Sequence, residues 1–141
     1  MEQRDYIMRQ IEQLGQVLAQ MLARLLGLKQ QGSASLRVEE LRLIYKNELD
    51  IDLEELVKIS EDDIIMFLKT KNKYFEHHLE IIADILHATA ENYFNNHQLL
   101  NDGKNLLRKS VKILEYIQTS ERIYSIDRIQ KIQKIKNILN N

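Results

Sequence analysis

The chain has no cysteine, no proline and no tryptophan, and only four glycines in 141 residues. Without cysteine there are no disulfides, no thiolate nucleophile and no cysteine-bearing zinc site. That fits a reducing compartment. With a mixed-charge start and no apolar run near the length of a membrane span, the chain reads as cytoplasmic. Without proline, and with so little glycine, few positions interrupt a helix. Four glycines also leave little material for a phosphate-cradling loop or an oxyanion loop. Aromatic residues are 6% of the chain, so the core is expected to be mostly Leu and Ile, as in a helical bundle.

Charge of one sign is also lacking, since the net charge is −1. It is unevenly spread, however. Residues 36–70 carry 5 basic and 10 acidic side chains, a net of −5, and residues 102–141 carry 9 basic and 4 acidic, a net of +5. Such opposition is either complementarity within the chain or a means of orienting two copies. If it orients two copies, high salt weakens the pair. A strongly basic whole domain, as in many nucleic-acid binders, is not present. The length suits one domain, residues 1–141, that buries about two-thirds of its unfolded surface.

What is present is helical periodicity. Phe75, Leu79, Ile82, Leu86, Ala90 and Tyr93 are spaced 4, 3, 4, 4 and 3 apart, and Gly103, Leu107, Ser110, Leu114 and Ile117 are spaced 4, 3, 4 and 3. Each set lies on one helix face. Asn95, Asn96, His97 and Gln98 between them are polar residues, αL-tolerant enough to end one helix and reverse the chain. A helical hairpin over 73–118 follows. In residues 1–28, Ile7, Ile11, Leu14, Leu18, Met21, Leu25 and Leu28 form an unbroken a/d seam, widened by Val17, Leu22 and Leu26. Gly15 offers a close helix approach on this stretch. The seam closes the core, pairs two copies or lies on a membrane. With only Arg4, Arg9 and Arg24 as cations on its polar side, a protein neighbour is favoured over a membrane.

Residues 29–35 read as a linker, with Ser35 capping a helix from 36 to about 49. Short acidic helices fill the rest of 36–70, punctuated by Asp50, Asp52 and Ser60. Ser125 caps a basic helix over 125–140. Its Ile126, Ile129, Ile132, Ile135 and Ile138 recur every three residues and therefore drift around the helix. No strand pattern survives, so the expectation is an all-α bundle of about six to seven helices.

Three stretches resemble an uncharacterised bacterial family of all-helical proteins, with tetratricopeptide-like helices near the C-terminus. They are Gln3 to Leu14, Asp52 to Asp63, and Lys112 to Ile117 with Tyr124 to Ile132. The resemblance implies a helical fold and no known activity. Leu86, Ala90 and Tyr93 match the large, small and aromatic positions of a repeat's first helix. With one extra turn residue, Gly103, Leu107 and Ser110 match the small, large and small positions of its second. The closing proline is missing and only one repeat is visible, so a single hairpin packed by flanking helices is expected.

Chemistry is thinly supplied. Glu80, Asp84 and His87 share a helix face, and Asp84-Ile85-Leu86-His87 is a distant analogue of the Glu-x-x-His motif of dimetal bundles. The second motif such a site needs is absent, and the run from His77 to His87 reads as a solvated side. Asp50, Asp52, Glu54 and Glu55 lack the glycine and the twelfth-position ligand of a calcium loop, and read as helix caps. His97, Asp102, Ser110 and Ser125 have no oxyanion loop to serve. No catalytic residue, metal or cofactor is expected. The reading is a non-enzymatic protein-interaction or scaffolding module. Its candidate contact residues are Ile7, Ile11, Leu14, Leu18, Met21 and Leu25 on the first helix, and Arg128, Lys131 and Lys134 on the last. A homodimer through the first helix is one form of it. A nucleic-acid or anionic-surface binder using the last helix, and a small metal-binding helical protein, are the alternatives.

Overall fold

Short polar side chains build most of the breaks between helices. In the computed structural model, which describes residues 2–30 and 37–141, the Asp52 carboxylate accepts from the backbone N–H of Glu54 and Glu55. Ser60, Asn72, Asn96 and Ser125 do the same for the N–H groups of Asp62, Tyr74, Gln98 and Arg128. Each satisfies a donor that the first helical turn leaves without a partner. The result among the described residues is seven α-helices and no strand. They are α1 (Glu2–Gln30), α2 (Val38–Leu49), α3 (Leu53–Lys58), α4 (Ile64–Lys71), α5 (Leu79–Tyr93), α6 (Leu100–Ser120) and α7 (Ile126–Leu139). The all-α bundle expected from periodicity is what forms.

Some boundaries differ from expectation. The hairpin's first helix starts at Leu79, not Phe75, because Asn72 caps a 3-10 turn over Lys73–His78 that carries Phe75 into the core. The reversal at 95–98 uses no left-handed residue. Asp50, at the end of α2, is the one described non-glycine residue with positive φ, at 53°. α1 runs on to Gln30, while the rest of the proposed linker and the Ser35 cap lie outside the described residues. α2 begins after Arg37, which makes no side-chain cap bond.

α5 and α6 pack antiparallel as the centre. Small residues let them close: Ser110 Oγ donates to the Ala83 carbonyl at 2.8 Å, and Gly103 lies under the Phe94 ring. A Cβ at Gly103 would come within 2.7 Å of that ring and 3.2 Å of Tyr93 Cβ. Gly103→Ala is therefore expected to cost about 1 kcal/mol despite its better helix propensity, read by denaturant unfolding. On one side, α2, α3 and α4 supply Leu41, Tyr45, Leu53, Leu56, Ile64 and Leu68 to the core. There the Tyr45 hydroxyl meets Thr89 Oγ1 at 2.7 Å, and Thr89 donates to the Ile85 carbonyl.

The acidic and basic parts of the chain meet inside the fold. Lys112 Nζ lies 3.1 Å from the Asp62 carboxylate. Lys109 is buried and its ammonium donates to the Val57 carbonyl at 2.9 Å, near the end of α3. A cation there suits the negative end of a helix, but burial drives the Lys109 pKa down. Lys109→Met, which removes that desolvation along with one hydrogen bond, is expected to change stability by less than about 1 kcal/mol. Lys109→Ala, which also leaves a void, is expected to cost about 2 kcal/mol in the same unfolding measurement.

Candidate interaction surface

The basic helix is held by the chain itself. The Arg128 side chain is only 8% exposed. Its Nε donates to Glu80 at 2.9 Å, and its terminal nitrogens donate to Gln118 at 3.0 Å and Glu121 at 3.1 Å. Lys131 Nζ bridges Glu80 and Asp84, each at 3.2 Å, and Lys136 meets Glu115 at 3.2 Å. Burial on its own would raise the Glu80 carboxyl, but the bonds from Arg128 and Lys131 outweigh it and hold it below the ordinary value. Of the candidate residues on this helix, Arg128 is thus a structural tie rather than a surface group. Lys131 is largely committed, and Lys134 is exposed.

The same contacts correct the reading of the run from His77 to His87 as a solvated side. Glu80, Asp84 and His87 are half-buried, and Glu80 and Asp84 form the seat of α7. His87 Nε2 lies 3.3 Å from the Glu91 carboxylate without hydrogen-bond geometry. Among the described residues no three His, Asp or Glu side chains gather where a metal ion could sit. His78 is turned the other way, toward α1. Its Nε2 lies 2.8 Å from the Ile11 carbonyl, and its ring packs on Gly15, where a Cβ would meet Cε1 at 2.9 Å. Gly15 makes the close approach that its position suggested.

This docking divides the N-terminal seam. Leu18, Met21 and Leu25 are buried in the core, and Leu14 packs partly against it. They are not available to a second molecule. Ile11 is half-buried and Ile7 is 37% exposed. The cause is length: α1 has 29 residues and α5 has 15, so α5 covers only part of the stripe.

Two exposed apolar segments result. α1 meets the start of α5 through Ile11 and His78, and α7 meets it through Arg128 and Glu80. The chain before Ile11 and the chain before Arg128 each lie beyond these contacts. On α1 this leaves Tyr6, Ile7 and Met8 exposed. In the α6–α7 connection it leaves Ile123, Tyr124 and Ile126 exposed by 76, 71 and 63%. Arg4, Asp5, Arg9 and Glu12 neighbour the first segment in sequence, and Arg122 and Asp127 the second. Sequence reasoning missed the second segment; three large apolar residues within four positions were the available signal.

Other concave places offer less. A groove of about 530 Å³ runs between α4 and α6 over Ile65, Met66 and Tyr116. Its lysines are already engaged, Lys69 with Glu76 and the Tyr116 hydroxyl, Lys112 with Asp62. No described helix is long and apolar enough to cross a membrane. Compared with protein-family profiles, curated proteins and solved structures, the chain finds no match in any of the three.

Proposed function

We propose that this protein is a non-enzymatic interaction module whose contact residues lie in two exposed apolar segments, Tyr6, Ile7 and Met8 of α1 and Ile123, Tyr124 and Ile126 at the α6–α7 connection. The observation that carries this reading is their concentration. Single exposed apolar side chains are ordinary on a protein surface, but three large ones within three or four consecutive positions mark a place of contact. Of the side chains weighed for chemistry, Glu80 and Asp84 seat α7, and Ser110 ties α6 to α5. The basic face of α7 supports the anionic-partner alternative poorly, because an incoming phosphate would have to displace Glu80, Asp84 and Glu115 from their lysines and arginine.

The test separates contact from folding. Met8→Ser together with Tyr124→Ser is expected to change the unfolding free energy by no more than about 0.5 kcal/mol, as for surface positions. A loss above about 2 kcal/mol would show that these side chains belong to the core and would end the reading. The stability of a Leu18→Ala variant gives the contrast, at an expected cost of about 3 kcal/mol.

A further inference from the structure

The acids that seat α7 form a surface with a chemistry of its own. Glu80 and Asp84 come from α5 and Glu115 from α6, with Glu121 just beyond it. Each of these carboxylates pairs with a cation of α7, Arg128, Lys131 or Lys136. The apolar part of the hold is small. α5 buries residues along its whole length, from Leu79 to Tyr93, and α6 from Gly103 to Ile117, whereas α7 buries only Arg128 and Ile135. Ile132, Ile138 and Leu139 pack partly against the core. The Lys136–Glu115 pair is about half exposed on both sides, and such pairs contribute little. The connection that leads into α7 is exposed at Arg122, Ile123 and Tyr124. The hold is therefore concentrated in one guanidinium and one isoleucine. A helix held in this way belongs to the low-stability end of a fold and opens before the hairpin beneath it.

An open α7 uncovers the carboxylates on both helices and the place of Ile135. Anions are repelled there, and an uncharged apolar helix would leave the half-buried Glu80 and Asp84 without partners. What satisfies them is an amphipathic helix with the spacing that α7 itself shows: an arginine, a lysine three positions on, an isoleucine seven on and a lysine eight on. Helices of this kind dock through anchors on one face, and the cations supply the electrostatic match. We infer that α7 is a displaceable ligand of this acidic seat, and that the seat's other occupant is a basic amphipathic helix of a partner protein. Closed, α7 shields the seat, and the partner gains it only in the fraction of molecules whose α7 is open. The inference is independent of the exposed segments at 6–8 and 123–126.

The probe is a fluorescein-labelled peptide of residues 124–141, added to the full chain and to its Arg128→Ala variant and followed by fluorescence anisotropy. The substitution loosens the resident helix and leaves the seat intact. The variant is therefore expected to bind the peptide at least about ten-fold more tightly than the natural chain does. If Arg128→Ala loses helix content, Lys131→Glu, at a part-exposed position, takes its place with the same expectation. No binding to a folded variant, or equal binding to both chains, overturns the inference. A peptide carrying Arg128→Ala and Lys131→Ala is expected to bind the variant chain at least about ten-fold more weakly than the natural peptide. Equal affinity of the two peptides would mean that the acids do not read the cations, and overturns it as well. Hydrogen exchange in the natural chain gives a second reading. The amides of α7 are expected to exchange through an opening that leaves α5 and α6 protected, and exchange of all three helices together overturns the displacement.

Discussion

Arg128→Ala is expected to lower the unfolding free energy by about 3 kcal/mol, at the lower end of the cost of removing one partner from a buried ion pair. In a chain of this size that is a fall in Tm of roughly 10 °C. The guanidinium is buried and serves three acceptors on two helices, Glu80 on α5, Gln118 on α6 and, just beyond α6, Glu121. Its removal leaves the half-buried Glu80 with Lys131 alone and opens a void beneath the first turn of α7. Glu121 is about half exposed and recovers water, which keeps the loss from being larger. Arg128→Lys is expected to restore less than half, because one ammonium cannot reproduce the fork that reaches three acceptors at once. The acid limb adds a check. The Glu80 carboxyl is held below its ordinary value of 4.5. Its contribution is therefore present above that pH and is lost as the pH falls through the folded value. The gap between natural chain and variant should narrow in acid, as measured by denaturant unfolding across the acid range. A gap that stayed constant would assign the whole loss to packing.

Arg128 also shows where sequence reading stops. Within α7 it is one of several cations between isoleucines, with nothing local to set it apart from Lys134. What buries it is Glu80, 48 positions away, and no periodicity in one dimension reports such a pairing. Features whose cause is local were legible: Asp52, Ser60 and Ser125 cap the helices that their types and positions announce. The drift of a three-residue repeat is visible as Ile126, 63% exposed, turning into Ile135, 1% exposed. Gly15 was readable as a close approach, but not the histidine that makes it. The α1 seam was half legible. Its apolar face is fixed by spacing, whereas how much of that face is covered depends on the 15 residues of α5. Comparing the two helix lengths would have forecast an overhang. The exposed run in the connection after α6 was legible only as three large apolar residues within four positions, Ile123, Tyr124 and Ile126.

Stability is expected to fall steeply from about pH 10 upward, through Tyr45 and Tyr93. Both are buried, at 1 and 2% exposure. Burial raises both phenols from the ordinary 10.0, Tyr93 to about 12 and Tyr45 further. For Tyr45 the bond to Thr89 works in the opposite direction and is outweighed. Because the folded values lie above the unfolded ones, the unfolded chain loses protons first as pH rises. The stability these phenols contribute is complete below pH 10 and is lost between there and their folded values. For Tyr93 alone the interval from 10.0 to about 12 corresponds to roughly 3 kcal/mol. Tyr45 adds to it, and together they reach the scale of a whole domain's stability. Lys109 acts with the other sign: its lowered pKa means that its desolvation is relieved as pH rises, so it offsets part of the early loss. The measurement is denaturant unfolding at successive alkaline pH values, followed beside phenolate absorbance. Tyr45 and Tyr93 should give up their protons only as the fold opens. Tyr45→Phe with Tyr93→Phe should shift the alkaline transition to higher pH. At neutral pH the double variant should cost about 1 kcal/mol, for the hydrogen bond that Thr89 loses. An unmoved transition would place the alkaline failure elsewhere, in ion pairs such as those of Lys131, whose raised pKa makes its contribution vanish in the same range.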